Sequence, residues 1–417
     1  MKIFKFGGAS VKDAEGVKNV TSVLEKVGFR DTLIVVSAMG KTTNALEVII
    51  KNYFEKSSQL HPSVQEVRKY HNQILQDLFA DEDHEAYFTV NAHFDDLEYF
   101  LRSNKSPNYN FVYDQIVSYG EIISTTIVSY YLNERGIKNT WLDVRNFIKT
   151  DTTYRDANVN WEQTQNLINK KIEKDELYIT QGFLGSDSNN FTTTLGREGS
   201  DYTAAIFAYC LNAESVTIWK DVPGVLNADP RYFEETSLLN QISYREAIEL
   251  AFYGASVIHP KTLQPLQNKE IPLFVKSFIN PLLPGTSVSK GADLEPQLPC
   301  YIIKKNQLLL SLSSLDFSFI MEEHISEIFA LFHEHKLKVN LIQNSAISFS
   351  VCIEDKFHNF PDVKEILEQR FKIAFHENVS LYTIRHFDTN ATQIVETNKT
   401  VLLKQISRET LQIITKE

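Results

Sequence analysis

Apolar residues along this chain recur in two alternating rhythms. Residues 3–6 form a short apolar run closed by Gly7-Gly8, after which Val17, Val20, Leu24 and Val27 return at helical spacing, predicting strand, glycine turn and helix. Residues 32–37 (TLIVVS) are a β-branched run suited to burial on both faces of a parallel sheet, and the run stops at Met39-Gly40. Residues 50–118 are charged and aromatic without strand signals and read mostly as helices, broken at Ser106-Pro107-Asn108. Strand candidates return at 140–144, 177–184 and 215–222, separated by helical stretches such as 200–211. Strands alternating with helices predict an α/β fold with a largely parallel sheet, whose ligands sit beyond the carboxyl ends of the strands.

The rhythm changes after residues 280–299, where Pro281, Pro284, Gly285, Gly291, Pro296 and Pro299 concentrate breakers and mark a domain boundary. Beyond it, strand-like 308–314, a helix near 322–336 and strand-like 339–345 and 347–354 make a β-α-β-β unit. Helical 363–371, strand-like 380–387 and 393–398 (QIVETN), then 402–414, read as a second, incomplete one. This weak repetition predicts a small paired α+β module. The expected organisation is an α/β domain over 1–285, a linker over 286–300 and a paired module over 301–417.

Composition narrows the class. At ~150 residues per domain, 417 residues favour two or three domains. With 43% hydrophobic and 23% charged residues, disorder and low-complexity classes drop out. A formal charge of −11 opposes polyanions, which argues against nucleic acid or an anionic membrane as partner. A local phosphate site stays compatible with it, because backbone N–H groups and a few cations suffice. No apolar run approaches the ~20 residues of a membrane span, and the N-terminus lacks a signal-peptide h-region, so a cytoplasmic protein is expected. Cys210, Cys300 and Cys352 lie far apart, with no CxxC, and indicate neither a disulfide framework nor a zinc site. His333 and His335 are two apart on a predicted helix and point to different faces, so no metal site is expected there.

Three constellations carry chemistry. In Lys5-Phe6-Gly7-Gly8-Ala9-Ser10, paired glycines between strand and helix let N–H groups approach phosphate oxygens, with a charge from Lys5 and a hydroxyl from Ser10; alone, it is also a plain β-α turn. In residues 194–201 (TLGREGSD), Arg197 offers a donor fork suited to a carboxylate, and Asp201 either caps the following helix or faces a substrate. Residues 219–231 (WKDVPGVLNADPR) run from a strand end into a polar loop that suits a nucleotide through Lys220 and Arg231, or is a Pro-Gly turn with a solvated salt bridge.

Taken together with SYGEIIST (118–125), VVSAMGKTTN (35–44) and YGASVIHPKTL (253–263), these collinear segments resemble the aspartate kinases of the amino-acid kinase family, and the C-terminal units resemble their paired ACT regulatory domains. The resemblance implies an amino-acid-kinase-like, mostly parallel sheet sandwiched by helices, followed by a ferredoxin-like ACT pair. It implies transfer of the γ-phosphoryl of ATP, with Mg2+, to the side-chain carboxylate of L-aspartate. It also implies that Lys5 neutralises the transferring phosphate, cradled by Gly7, Gly8 and Ser10. Ser37 and Thr43 fall at substrate-binding positions, Glu121 at the holder of the substrate ammonium, and Arg197 at that of its α-carboxylate. Asp201 falls where the reacting groups are organised, and Lys220, Asp221 and Arg231 where ATP binds. A homodimer and an allosteric amino acid at the ACT region are further implications.

The chain departs from the pattern at three places. Glu198 stands where many aspartate kinases have glycine, Ser256 where many have lysine, with Lys220 or Lys261 as replacement cations, and Asn340 where aspartate is common. Two other readings stay open: another amino-acid kinase of this fold, and a catalytically inactive ACT-based amino-acid sensor.

Overall fold

The computed structural model describes residues 1–255, 258–316 and 318–416, so Ser256 lies outside the described residues. The chain divides into two compact units, one of residues 1–225, 238–248 and 257–295, the other of 226–237, 249–256 and 296–417.

In the first unit, β1 (Lys2–Phe6) leads through the glycine pair into α1 (Ala14–Val27), followed by β2 (Thr32–Val36). Asp13 caps α1 by accepting from the Gly16 N–H at 2.8 Å, the usual satisfaction of a free helix-start donor. The helical stretch is α2 (Thr42–Phe54), α3 (Leu60–Leu78), α4 (Glu85–Ser103) and α5 (Tyr109–Glu134), the last capped by Asn108 at the expected break. Then come β3 (Thr140–Leu142), α6 (Trp161–Lys171), β4 (Leu177–Gln181), the hairpin of β5 (Leu184–Ser186) and β6 (Thr192–Thr194), α7 (Gly199–Leu211) and β7 (Ser215–Lys220). Further on are β8 (Gln241–Ser243), α8 (Tyr244–Tyr253), whose residues from 249 on belong to the second unit, α9 (Pro260–Lys269), β9 (Leu273–Ser277) and β10 (Thr286–Ser289).

Eight strands form one sheet in the order β3-β4-β2-β1-β7-β9-β10-β8, parallel except at the β9–β10 pair. β2 and β4 are buried along their whole length, as the unbroken β-branched run requires of a central strand covered on both faces. Trp219 is buried in β7, with its ring stacked on Phe6 at 6.0 Å and edge-on to Phe4 at 5.7 Å. Residues 286–289, expected in a linker, are instead a strand of this sheet. Gly285, at φ +70°, makes the turn that folds β10 back on β9, so the breakers there build a hairpin.

The second unit continues with β11 (Cys300–Ser314), α10 (Glu322–Glu334), β12 (Lys338–Asn344), β13 (Ser348–Glu354), α11 (Phe360–Glu368), β14 (Phe371–Arg385), α12 (Thr389–Glu396), β15 (Thr400–Ile406) and β16 (Thr410–Lys416). They form one antiparallel six-stranded sheet, β12-β13-β11-β14-β16-β15. Two strands of fifteen residues, β11 and β14, run through both modules. Their carboxyl and amino halves respectively, with α10, β12, β13 and α11, complete a βαββαβ module, so the 363–371 helix belongs to the first module and not the second. The remaining halves join α12, β15 and β16. Incompleteness of the second module thus reduces to a missing second helix, because the start of β11 supplies its last strand. Where the modules meet, β11 shifts register between Lys304 and Gln307, and Asn306 (φ +56°) and Asn378 (φ +57°) take the left-handed conformation that asparagine tolerates.

Residues 393–398, expected as a strand, are instead the end of α12 and the turn after it. Asp388 accepts from the Ala391 N–H at 2.7 Å, and Ala391 and Val395 bury one helical face. The 402–414 stretch is the β15–β16 hairpin.

Candidate active site

The carboxyl ends of adjacent strands β2, β1 and β7 carry Ser37, Lys5 and Lys220, with Lys5 in register with Val35 and Ile218, two residues before the other two. Lys5 is 9% exposed, and its Nζ lies 2.6 Å from Oδ1 of Asp201, which is 3% exposed in the first turn of α7. A lysine this deep stays in place because the Asp201 carboxylate neutralises it, and the positive end of α7 in turn favours that carboxylate. A Cβ on Gly7 would approach Lys5 Nζ to 3.3 Å, and one on Gly8 would sit 2.6 Å from the Ala38 carbonyl oxygen. The Gly40 N–H donates to the Gly8 carbonyl at 3.0 Å, locking the first glycine loop against the loop after β2. Ser10 is buried in the short helical turn Gly8–Val11. Ser37 donates its N–H to the Phe6 carbonyl at 3.0 Å, and its own carbonyl accepts from the Ser124 hydroxyl at 2.7 Å. Thr43 is half-buried in the first turn of α2.

Glu121 projects from α5 into the same region and is 4% exposed. Its Oε1 accepts from the Ala38 N–H at 2.9 Å and its Oε2 from the Gly182 N–H at 3.1 Å, which ties α5 to the loops after β2 and β4. Burial pushes its carboxyl up to about 8, against the opposing pull of those two amides, Lys5 and the Ser200 hydroxyl. Arg197 is exposed in the loop between β6 and α7 and has no ion-pair partner among the described residues. Beside it, Glu198 takes φ +54°, the left-handed conformation in which glycine is at ease, and one of its carboxylate oxygens is buried without a hydrogen bond.

The amino acid kinase family matches residues 1–277 of this chain. The chain belongs to the amino acid kinase family. Lysine-sensitive aspartokinase 3 of Escherichia coli is 31% identical over 364 residues, covering 84% of this chain and 78% of that protein. The chain spans only 42% of the bifunctional aspartokinase/homoserine dehydrogenase 2 of Arabidopsis thaliana, to which it is 29% identical. Among solved structures, E. coli aspartokinase III in complex with lysine and aspartate superposes with a TM-score of 0.85 at 26% identity, covering 99% of this chain and 95% of that one. The same E. coli protein in complex with aspartate and ADP gives a TM-score of 0.79, covering 100% and 96%.

Not every expected residue of this amino acid kinase joins the cluster. Asp221 is exposed just past β7, and Lys220 closes the strand, its carbonyl accepting from the Phe278 N–H at 2.9 Å. Arg231 belongs to the second unit, where both oxygens of Asp229 engage its guanidinium, so the solvated salt bridge weighed for this loop is present. Lys261, a candidate replacement cation, pairs with Asp156.

Sequence reasoning missed Asp114. This buried α5 carboxylate accepts from the Thr194 N–H and hydroxyl, both at 2.8 Å, and from the Arg155 N–H at 3.0 Å, holding the loop that leads to Arg197. Burial pushes it up to about 6. Its signal was the polar stripe Asp114, Ser118, Glu121 and Thr125 along one face of an otherwise apolar helix.

Proposed function

We propose that this amino acid kinase is an aspartate kinase in which Lys5 carries the phosphoryl transfer. The observation that carries this reading is the buried Lys5–Asp201 pair, set against the two-glycine loop at the carboxyl end of β1. The likeness to an aspartokinase solved with aspartate and ADP supports it.

An oxygen of the substrate side-chain carboxylate attacks the γ-phosphorus of MgATP, the bond to the bridging oxygen of ADP breaks, and 4-phospho-L-aspartate and ADP leave. No proton need be removed, since an aspartate carboxyl titrates near ~3.9. The chain therefore supplies position and positive charge for a loose transition state. Lys5 faces the transferring group, and Gly7, Gly8 and Ser10 present N–H and hydroxyl donors to the phosphates. Arg197, without an ion-pair partner among the described residues, takes the α-carboxylate, and Glu121, with Ser37 and Thr43, takes the ammonium. Lys220 and Asp221 serve the nucleotide; Arg231 would have to leave Asp229 to do so. A cytoplasmic homodimer is part of this proposal. It is supported by the exposed edge strands β12 and β15, whose Ile342, Val401 and Ile406 are 47%, 39% and 61% exposed. An amino-acid effector acting on the C-terminal module completes it.

Glu198 favours the rival reading of an inactive sensor, since it brings a negative charge and a left-handed backbone to the start of α7. ATP- and aspartate-dependent acyl-hydroxamate formation, lost in Lys5→Ala and absent with glutamate or N-acetylglutamate, is the expected result. No turnover in the intact chain would favour the sensor.

A further inference from the structure

The second unit contains a small cavity of about 90 Å3 at the junction of its two modules, and its charges are unbalanced. Lys304 of β11 and Lys338 of β12 line it with Asn340, Thr383 and Gln412, under the rings of Phe252 and Tyr253. No carboxylate lines it, and neither lysine has an ion-pair partner among the described residues. Outside the lining, Glu354 lies opposite Lys338 in the β12–β13 register.

Lys304 donates to the Asn340 side-chain carbonyl at 2.8 Å, and the Asn340 amide donates on to Gln307 at 2.7 Å. An amide oxygen orients an ammonium but does not neutralise it. Burial, and Lys338 after it, hold the Lys304 ammonium below its ordinary value, with Glu354 opposing. The site is also shaped around this side chain. Gly254, at φ +121°, passes so close that a Cβ there would lie 2.9 Å from Lys304 Cε. A partly desolvated cation with two spare donors beside a second cation is a site short of one negative charge.

We propose that this cavity binds a small oxyanion, an inorganic phosphate or the carboxylate of a small metabolite, between Lys304 and Lys338. Its volume holds roughly six water-sized atoms at ~15 Å3 each, which suits such an ion and excludes a nucleotide. Gln412, Thr383 and Asn340 supply neutral polar groups around the two charges. Because the lining comes from β11, β12, β14 and β16, the anion would bridge strands of both modules. The inference rests on the second unit alone and holds whether or not the first unit turns over aspartate.

Isothermal titration of the full chain with orthophosphate, and separately with acetate, against sodium chloride at matched ionic strength tests it without turnover. Saturating binding by one of the two oxyanions is expected, weakened at least tenfold in Lys304→Met and in Asn340→Asp, which places a carboxylate against Lys304 at constant volume. Lys338→Ala, on an exposed edge strand, should weaken it several-fold and guards against misfolding of the other two. Whichever oxyanion binds identifies the source. No saturable binding of either, or binding unchanged in all three variants, overturns the proposal.

Discussion

Two lysines, one in each unit, Lys5 buried and Lys304 half-buried, solve the same problem differently. Lys5 meets a carboxylate at 2.6 Å, whereas Lys304, among the described residues, meets an amide oxygen at 2.8 Å and no carboxylate. The first arrangement balances charge within the protein and keeps a cation beside the two-glycine loop. The second leaves a deficit that a ligand can fill. Burial alone therefore does not separate a structural lysine from a functional one; its partner does.

The sharpest way to break the comparison is Lys5→Ala. It should abolish hydroxamate formation and destabilise the protein by about 3 kcal/mol, because Asp201 is left buried without its counterion. Lys5→Met combined with Asp201→Asn should restore most of the melting temperature without activity. Recovered activity in that pair would remove Lys5 from the chemistry.

Next in size is the pH response of Glu121. Its folded value of about 8 lies above the ordinary carboxyl range, so its contribution to stability is present below pH 4.5 and is lost as pH rises through 8. Binding a substrate ammonium requires the ionised form. The KM for aspartate should then fall about tenfold between pH 7 and 9 as that fraction grows. A flat profile would reassign Glu121 to loop anchoring, and Glu121→Gln should show that flat profile.

Glu198→Gly should raise stability by about 1 kcal/mol in chemical denaturation, since glycine relieves the left-handed backbone. Lys304→Met, at the other pole of the comparison, should shift the melting temperature least at neutral pH, because it removes a desolvated cation that no carboxylate balances. As its ammonium titrates below the ordinary value, wild type should gain on that variant as pH rises towards 10.5.

What the sequence could disclose followed the range of the interactions involved. β2 was legible because five consecutive β-branched or aliphatic residues state burial on both faces locally. The Lys5 loop was legible because its glycines and lysine are adjacent in sequence. The 393–398 stretch was misread because Ile394 and Val395 suggest a strand, while the decisive cap, Asp388, sits five residues before the stretch begins. Asp114 stayed hidden because its partners are 41 and 80 residues away, so only the folded chain shows a carboxylate holding a loop. Arg231 is the opposite case: its partner Asp229 is two residues away, so the salt bridge that the loop offered as one of its two readings is local.

β11 and β14 have one further consequence. Each of these fifteen-residue strands begins in one module and ends in the other, so no single cut in the chain releases either module with its sheet intact. The pair is folded and lost as one plank. A truncation after residue 385 would strip β14 of its β16 partner and expose a fresh strand edge, and the damage should surface as aggregation of the whole polypeptide rather than as the silence of one regulatory half.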